Sequence, residues 1–414
     1  MGVPVKRRPK GPVELELSSP TLRDYALYQS GNEAPVSYHV FSLLAMAGAL
    51  LECRVWLNWE YDNYVPNLYV CLVGPQGARK STAAKGARNL LLQVDPGHPM
   101  GDPIISKESI ITQLSSPEAK MSYQWGDKTF VYEPVTLVVT ELKNSLAINP
   151  FSLVDWLTHV YEGENTSSKT VKRGREEVAH PVITLLACET TDWLVDKLRC
   201  SLISGGFSRR MLFVVEDKYG ERIANPKIPP GGHEALARVR KRMENLKSLT
   251  GEVVMAKPAR KWFDHWYETV QAPNHKMGRA WYTSKHVQLV KLAMILAALD
   301  DGERKVELRH LKQALTLLDA TEPGMFRLLA MSGRNPLLAP TYELLSQLEA
   351  GPMDEHLARQ VLFEWCSARE VEELLRHLQL TRQIVVGRNG DGSAVVKLAA
   401  SAAARPKSQP SPAD

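Results

Sequence analysis

Four apolar runs punctuate the chain without the polar alternation of a half-exposed strand: residues 68–73, 135–141 with Glu141 as its last member, 182–188 and 211–215. Uninterrupted aliphatic and β-branched runs of this length predict strands buried on both faces, as in a parallel sheet. Residues 82–92, 152–161 around Trp156, and 192–198 read as helices lying between those runs. The expected fold class is therefore α/β, a parallel sheet with helical crossovers.

The flanking segments carry other periods. Leu22, Tyr25 and Ala26, then Phe41, Leu44, Ala45 and Leu51 with Gly48 in register, predict two helices, followed by a strand at 54–59. Residues 102–105 read as a short strand, Ser106 as the N-cap of a helix through 110–114, and 115–128 as a polar connection. Residues 165–178 place β-branched and hydroxyl residues around Lys172-Arg173-Gly174-Arg175, which predicts a hairpin with a basic tip. Val287, Val290, Leu296 and Ala297, then Leu308, Leu311, Ala314 and Leu318, predict two amphipathic helices. After Pro336, three short helices at 342–348, 356–366 and 369–378 precede two strands around a glycine-rich tip at 387–392, the pattern of a winged helix. The expected divisions are a basic flexible arm at 1–20, a helical segment at 21–66, a core at 67–225, a helical lid at 226–336, a winged helix at 337–398 and a disordered tail at 399–414.

Composition narrows the setting. Hydrophobic residues at 44% and charged residues at 23% are those of an ordinary globular protein. The longest uncharged apolar run, 40–51, is too short to span a bilayer and no secretory signal precedes it, so no membrane is expected and the cytoplasm is the default. The five cysteines are scattered without C-x-x-C spacing, which favours buried thiols over a disulfide frame or zinc site. A net charge of +5 permits a polyanionic partner without requiring one.

The chemistry concentrates where the first apolar run ends. Gly74-Pro75-Gln76-Gly77-Ala78-Arg79-Lys80-Ser81-Thr82 joins a strand to a helix. A backbone that curls with its N–H groups inward, a lysine for the β and γ phosphates and a hydroxyl for magnesium are what a nucleoside triphosphate needs. Gly74, Gly77, Arg79, Lys80, Ser81 and Thr82 are therefore the expected ATP-binding residues, with Ser81 on Mg2+. Arg79 occupies the place usual for glycine, where its side chain either points outward or crowds the turn. Glu141, delivered to a sheet edge, is the expected orienter of the attacking water, or else caps the next helix; Thr140 stands where an aspartate is usual. Thr190 is either a γ-phosphate sensor or a helix cap. Lys169, Lys172, Arg173 and Arg175 could track a phosphate backbone or be solvated. Arg209 and Arg210 follow a glycine pair and could supply a charge to a transferring phosphate or be ordinary surface residues.

The order of these segments resembles the ATPase core of AAA+ helicases. The likeness is greatest to the branch holding the minichromosome maintenance proteins and the helicase-like replication proteins of phages, plasmids and other mobile elements. The motifs cover about Leu68 to Val215. The resemblance implies that Thr190 is the first sensor, Arg209 a finger reaching into a neighbouring subunit, and Lys285 the second sensor at the start of a lid helix. It implies that the basic hairpin grips single-stranded DNA in a homo-oligomer, often a hexamer. An ATP-driven DNA helicase is the leading expectation; the alternative is a nucleotide-gated assembly protein such as a loader, a transposition regulator or a defence sensor. A small-molecule kinase would leave the hairpin, Arg209 and the winged helix unexplained. The winged helix carries Glu370, Glu372 and Glu373 on its third helix, which disfavours DNA and favours a regulatory or protein contact such as a replication partner, with Arg382, Arg388 and Lys397 on the wing as the remaining case for DNA.

Overall fold

The computed structural model describes residues 15–147, 150–170, 174–199, 206–217, 220–271, 276–331, 337–349, 351–388 and 393–399. These fall into two compact units, the first ending at Phe326 and the second beginning at Arg327. In the first unit α1 (Pro20–Gln29) and α2 (Val36–Leu51) precede β1 (Val55–Trp59) and β2 (Asp62–Tyr64). Helix α2 is apolar all round and buried from Ser37 to Leu51, which is why its sequence shows little amphipathic contrast. It lies against both the sheet and the later helices, and approaches the chain before the next strand so closely that a Cβ on Gly48 would sit 2.3 Å from the Pro66 carbonyl oxygen. The arm expected at 1–20 is anchored at its end: Ser19 caps α1 and its hydroxyl also bonds Asp300, while the Ser18 hydroxyl donates to Gln313.

The central sheet follows: β3 (Tyr69–Val73), α3 (Lys80–Val94), α4 (Lys107–Leu114), β4 (Met121–Trp125), β5 (Lys128–Val139), α5 (Leu142–Ser145), α6 (Pro150–Val160), β6 (Thr166–Thr170), β7 (Gly174–Val178), β8 (Pro181–Glu189), α7 (Thr191–Arg199), α8 (Gly206–Arg210) and β9 (Met211–Val215). The order across it is β4-β5-β8-β3-β9, parallel from β5 to β9, with β4 antiparallel at the edge. The chain leaves β3, skips the place of β8 to form β5, returns to it, and then crosses β3 to β9. Strands β3, β8 and β9 are buried throughout, as their unbroken apolar runs predict.

Two expectations fail here. Residues 102–105 form no strand; a single parallel bridge pairs Met100 with Thr136. Pro99 and Pro103 lack the N–H groups needed to extend the ladder. Ser106 does cap α4, in a reciprocal box with Ser109. The stretch 115–128 is more than a polar connection, because Met121, Tyr123 and Trp125 alternate as β4 and turn through Gly126, at φ +58°, into a β5 that starts at Lys128. Tyr123 stacks on Phe130 across that pair at 5.2 Å.

The rest of the first unit is mainly helical: α9 (Gly232–Leu246), the short strands β10 (Gly251–Glu252) and β11 (Val254–Met255), α10 (Lys257–Thr269), α11 (Lys276–Asp301), β12 (Lys305–Val306) and α12 (Leu308–Met331), whose residues from Arg327 on belong to the second unit. No described helix is long and apolar enough to cross a membrane.

The second unit contains α13 (Leu338–Glu349), β13 (Met353–Asp354), α14 (Glu355–Phe363), α15 (Ala368–Leu380), β14 (Ile384–Arg388) and β15 (Ala394–Leu398). Its three strands pair antiparallel in the order β13-β15-β14 over a core that includes Leu344, Leu362, Leu375 and Val396. The acids of α15 have local partners: Glu370 caps the helix with Ser367, Glu372 pairs with Arg359 and Glu373 with Arg369.

Candidate functional site

Strand β3 ends at Val73, and the next six residues turn into α3. Gly77 (φ +86°) and Arg79 (φ +61°) both take left-handed backbone conformations. Glycine does so without strain, whereas arginine at such an angle is held by its surroundings. Here Glu33 holds it: Arg79 donates through Nε at 2.7 Å and approaches the same oxygen through Nη2 at 2.5 Å. The Arg79 side chain thus points outward and leaves the interior of the turn clear. Into that interior folds Lys80, 8% exposed, whose Nζ donates to the carbonyl oxygens of Gly74 and Pro75, both at 2.7 Å. Burial lowers the Lys80 pKa, with Glu189 among the groups opposing that shift. An ammonium bonded to carbonyls rather than to a carboxylate can exchange them for an anion at little electrostatic cost. Gly74 must be glycine, since a Cβ there would lie 2.4 Å from the Tyr38 hydroxyl and 2.6 Å from the Glu216 carbonyl. Ser81 is half-buried and Thr82 exposed in the first turn of α3, where backbone N–H groups lack helical acceptors and the helix dipole is positive.

The sheet edge supplies an acid that sequence reasoning did not select. Register pairs Val73 with Glu189, and Gly74 donates its N–H to the Glu189 carbonyl at 3.3 Å. The Glu189 side chain is 4% exposed; Oε2 accepts from the Lys143 backbone at 2.6 Å, and Oε1 from the Thr190 backbone at 2.8 Å and hydroxyl at 3.3 Å. It therefore ties the end of β8 to the segment after β5, with Thr190 half-buried beside it. The only sequence signal was an acid at the end of an apolar run, a signal Glu141 shares. Strand β5 ends at Val139, so Glu141 lies beyond the ladder, its side chain 57% exposed. Its carboxylate accepts from Asn144 Nδ2 at 3.0 Å, lies 3.6 Å from Lys143 Nζ, and does not cap α5. Two strand spacings separate its strand from β3, about 10 Å.

The expected cations separate into different roles. Arg209 is exposed and forms no ion pair among the described residues, whereas Arg210 pairs with Glu162 at 2.8 Å and lies 5.7 Å from the Tyr161 ring centre. Helix α11 fixes the end of α8: Ser284 donates to the Arg209 carbonyl and Gln288 to that of Arg210, both at 3.3 Å. Lys285 departs from expectation. It lies well inside α11, is 2% exposed, and pairs with Asp319 at 2.6 Å and Glu322 at 2.7 Å. Its charge is consumed within the helical segment, which argues against a phosphate sensor. Strands β6 and β7 form the expected hairpin, with Lys169 opposite Arg175 in register. Lys172 and Arg173 lie outside the described residues. Trp156 Nε1 donates to the Thr166 hydroxyl at the hairpin base.

Beside the turn opens a cleft of about 690 Å³, lined among others by Tyr28, Asn32, Arg79, Thr82, Ile223 and Ile228. Its walls come from the α1–α2 connection and residues 223–228, segments whose sequences carry no motif. Of the four described cysteines, all free, Cys71 and Cys188 are buried, while Cys53 and Cys366 are half-buried. The chain matches no protein-family model, and no curated protein is similar to it.

Proposed function

We propose that this chain is an ATP hydrolase acting on DNA as a homo-oligomer, a helicase or translocase of the kind that replicates a phage or mobile element. The observation that carries the reading is Lys80, folded into a glycine-bearing turn at a helix N-terminus and held, among the described residues, by carbonyls alone. In this reading the turn is the phosphate loop of an AAA+ core, α9 to α12 are its lid, and the second unit is a winged helix. The order helix-strand-helix-helix-strand-strand supports that last assignment.

Lys80 would trade the Gly74 and Pro75 carbonyls for phosphate oxygens, and the cleft beside Thr82 would take the nucleoside. The donor set fits a magnesium ion bound with the nucleotide through the Ser81 hydroxyl; the ion would supply charge neutralisation at the phosphates. Glu141 would orient water, Glu189 and Thr190 would fix the edge beside it, and Arg209 would reach a neighbouring subunit's site. The 166–178 hairpin would hold single-stranded DNA by its cations, and the winged helix would meet a replication partner.

The test is ATP turnover with and without single-stranded DNA, in wild type, Lys80→Ala and Lys172→Ala/Arg173→Ala. Turnover abolished by the first variant, with DNA stimulation lost in the second, is expected. Nucleotide binding without turnover or DNA response refutes the motor. One observation favours the second reading, a nucleotide-gated assembly protein: Glu141 is engaged by Lys143 and Asn144 rather than directed at the turn.

A further inference from the structure

Arg79 and Glu33 join three segments through one carboxylate. Glu33 Oε2 takes the Arg79 guanidinium, while Oε1 accepts the backbone N–H of Ile223 at 3.0 Å. Those two bonds, the backbone N–H first, hold the Glu33 carboxyl below the usual carboxylate range. The strap at 220–228 is seated directly on the α1–α2 connection. A Cβ on Gly220 would lie 2.0 Å from the Glu33 carbonyl oxygen, and one on Gly31 1.8 Å from that of Lys227. Arg79, Glu33, Thr82 and Ile223 all line the cleft beside the turn. The two partners are unequally held, the Arg79 side chain being 55% exposed and that of Glu33 21%.

A guanidinium forms its strongest pairs with planar or multiply charged oxyanions, and a polyphosphate at the helix N-terminus offers more charge than one carboxylate. We propose that the Arg79–Glu33 pair is a nucleotide-responsive latch, in which the phosphates of a bound nucleotide draw Arg79 off Glu33 and thereby loosen the 220–228 strap beside the cleft. Glu33 is then a built-in competitor for the incoming anion. The proposal rests on the nucleotide-site reading above and adds a residue pair and a moving segment to it.

The experiment measures magnesium-ATP and adenosine affinity by titration calorimetry for wild type, Lys80→Ala, Glu33→Gln and Arg79→Gly. Tryptic cleavage at Arg222 and Lys227 is followed with and without ATP. Glu33→Gln keeps an acceptor for Ile223 but removes the competing charge, so ATP affinity rises about two- to fivefold, the range of an exposed ion pair. Arg79→Gly relieves the left-handed backbone, so it folds at least as readily. It weakens ATP about two- to fivefold, leaves adenosine unchanged, and abolishes the ATP-dependent rise in strap cleavage expected of wild type. If wild type binds ATP and Lys80→Ala does not, yet Glu33→Gln binds like wild type or strap cleavage ignores ATP, the latch is overturned and the site stands. If wild type fails to bind ATP, or Lys80→Ala binds it equally, both fall together.

Discussion

Replacing Lys285 with alanine removes an ammonium that two carboxylates share. The lysine side chain is 3% exposed, that of Glu322 10% and that of Asp319 43%. Asp319 can turn to solvent, but Glu322 remains inside with only Trp281 Nε1 at 2.8 Å and the Tyr282 hydroxyl at 3.2 Å as donors. Removing one partner of a buried pair costs about 3–5 kcal/mol, and the two surviving donors place this case at the lower end, about 3 kcal/mol. At about 2 °C per kcal/mol for a unit of this size, Tm falls by about 6 °C.

The loss depends on pH in a defined direction. Burial raises the Glu322 pKa, and Lys285 opposes that rise. Without Lys285 the folded-state value moves further above the unfolded one, so the folded state binds more protons in the window between them. The variant's deficit is therefore smallest near pH 4.5, the carboxyl's ordinary value, and grows as pH rises towards neutrality. Urea unfolding at several pH values measures it, alongside ATP affinity at a temperature where the variant is folded. Unchanged stability with lost ATP affinity would refute the structural role and restore Lys285 as a nucleotide contact.

Three further outcomes follow from named contacts. Arg210→Ala, which loses Glu162, the Gly206 carbonyl and the Tyr161 face, should destabilise by about 1–2 kcal/mol, and Arg209→Ala by less than about 0.5 kcal/mol; denaturant titration giving the reverse order would contradict the division between them. Gly74→Ala forces a methyl against the Tyr38 hydroxyl and the Glu216 carbonyl and should cost about 1–3 kcal/mol, read by thermal unfolding. Lys291 is buried against Asn67 at 2.6 Å and the Tyr161 ring at 3.9 Å, and burial pushes it down to about 7 from 10.5. The unfolded state then binds more protons between those values, so stability rises with pH across them, and Lys291→Met should flatten that rise in urea titrations at pH 7 and 9.

The strands that position the turn were legible because each is buried on both faces and so written as an unbroken apolar run. What escaped depends on pairings between distant residues. Nothing local says that Val73 lies beside Glu189, so of two acids closing apolar runs the sequence carries no sign that Glu189 is the one seated beside the turn. The direction of Arg79 is set by Glu33, 46 positions earlier, and the fate of Lys285 by acids one helix later. Strand β4 was readable in principle, through its alternating Met121, Tyr123 and Trp125 and the Gly126 turn, but its polar half masked it.

Helix α2 has a consequence for how the protein is made. Its covering elements include β8, α9 and α11, so almost two hundred residues separate its end at Leu51 from the end of α9 at Leu246. At about 5–20 residues per second, a ribosome needs about 10–40 s to supply them. During that interval an apolar sixteen-residue segment has emerged with α1, β3 and α3 but without the full cover of β8, α9 and α11. Nascent chains of this protein should therefore be clients of hydrophobic-segment chaperones until α9 and α11 emerge, and slowing translation between codons 51 and 246 should lower the soluble yield.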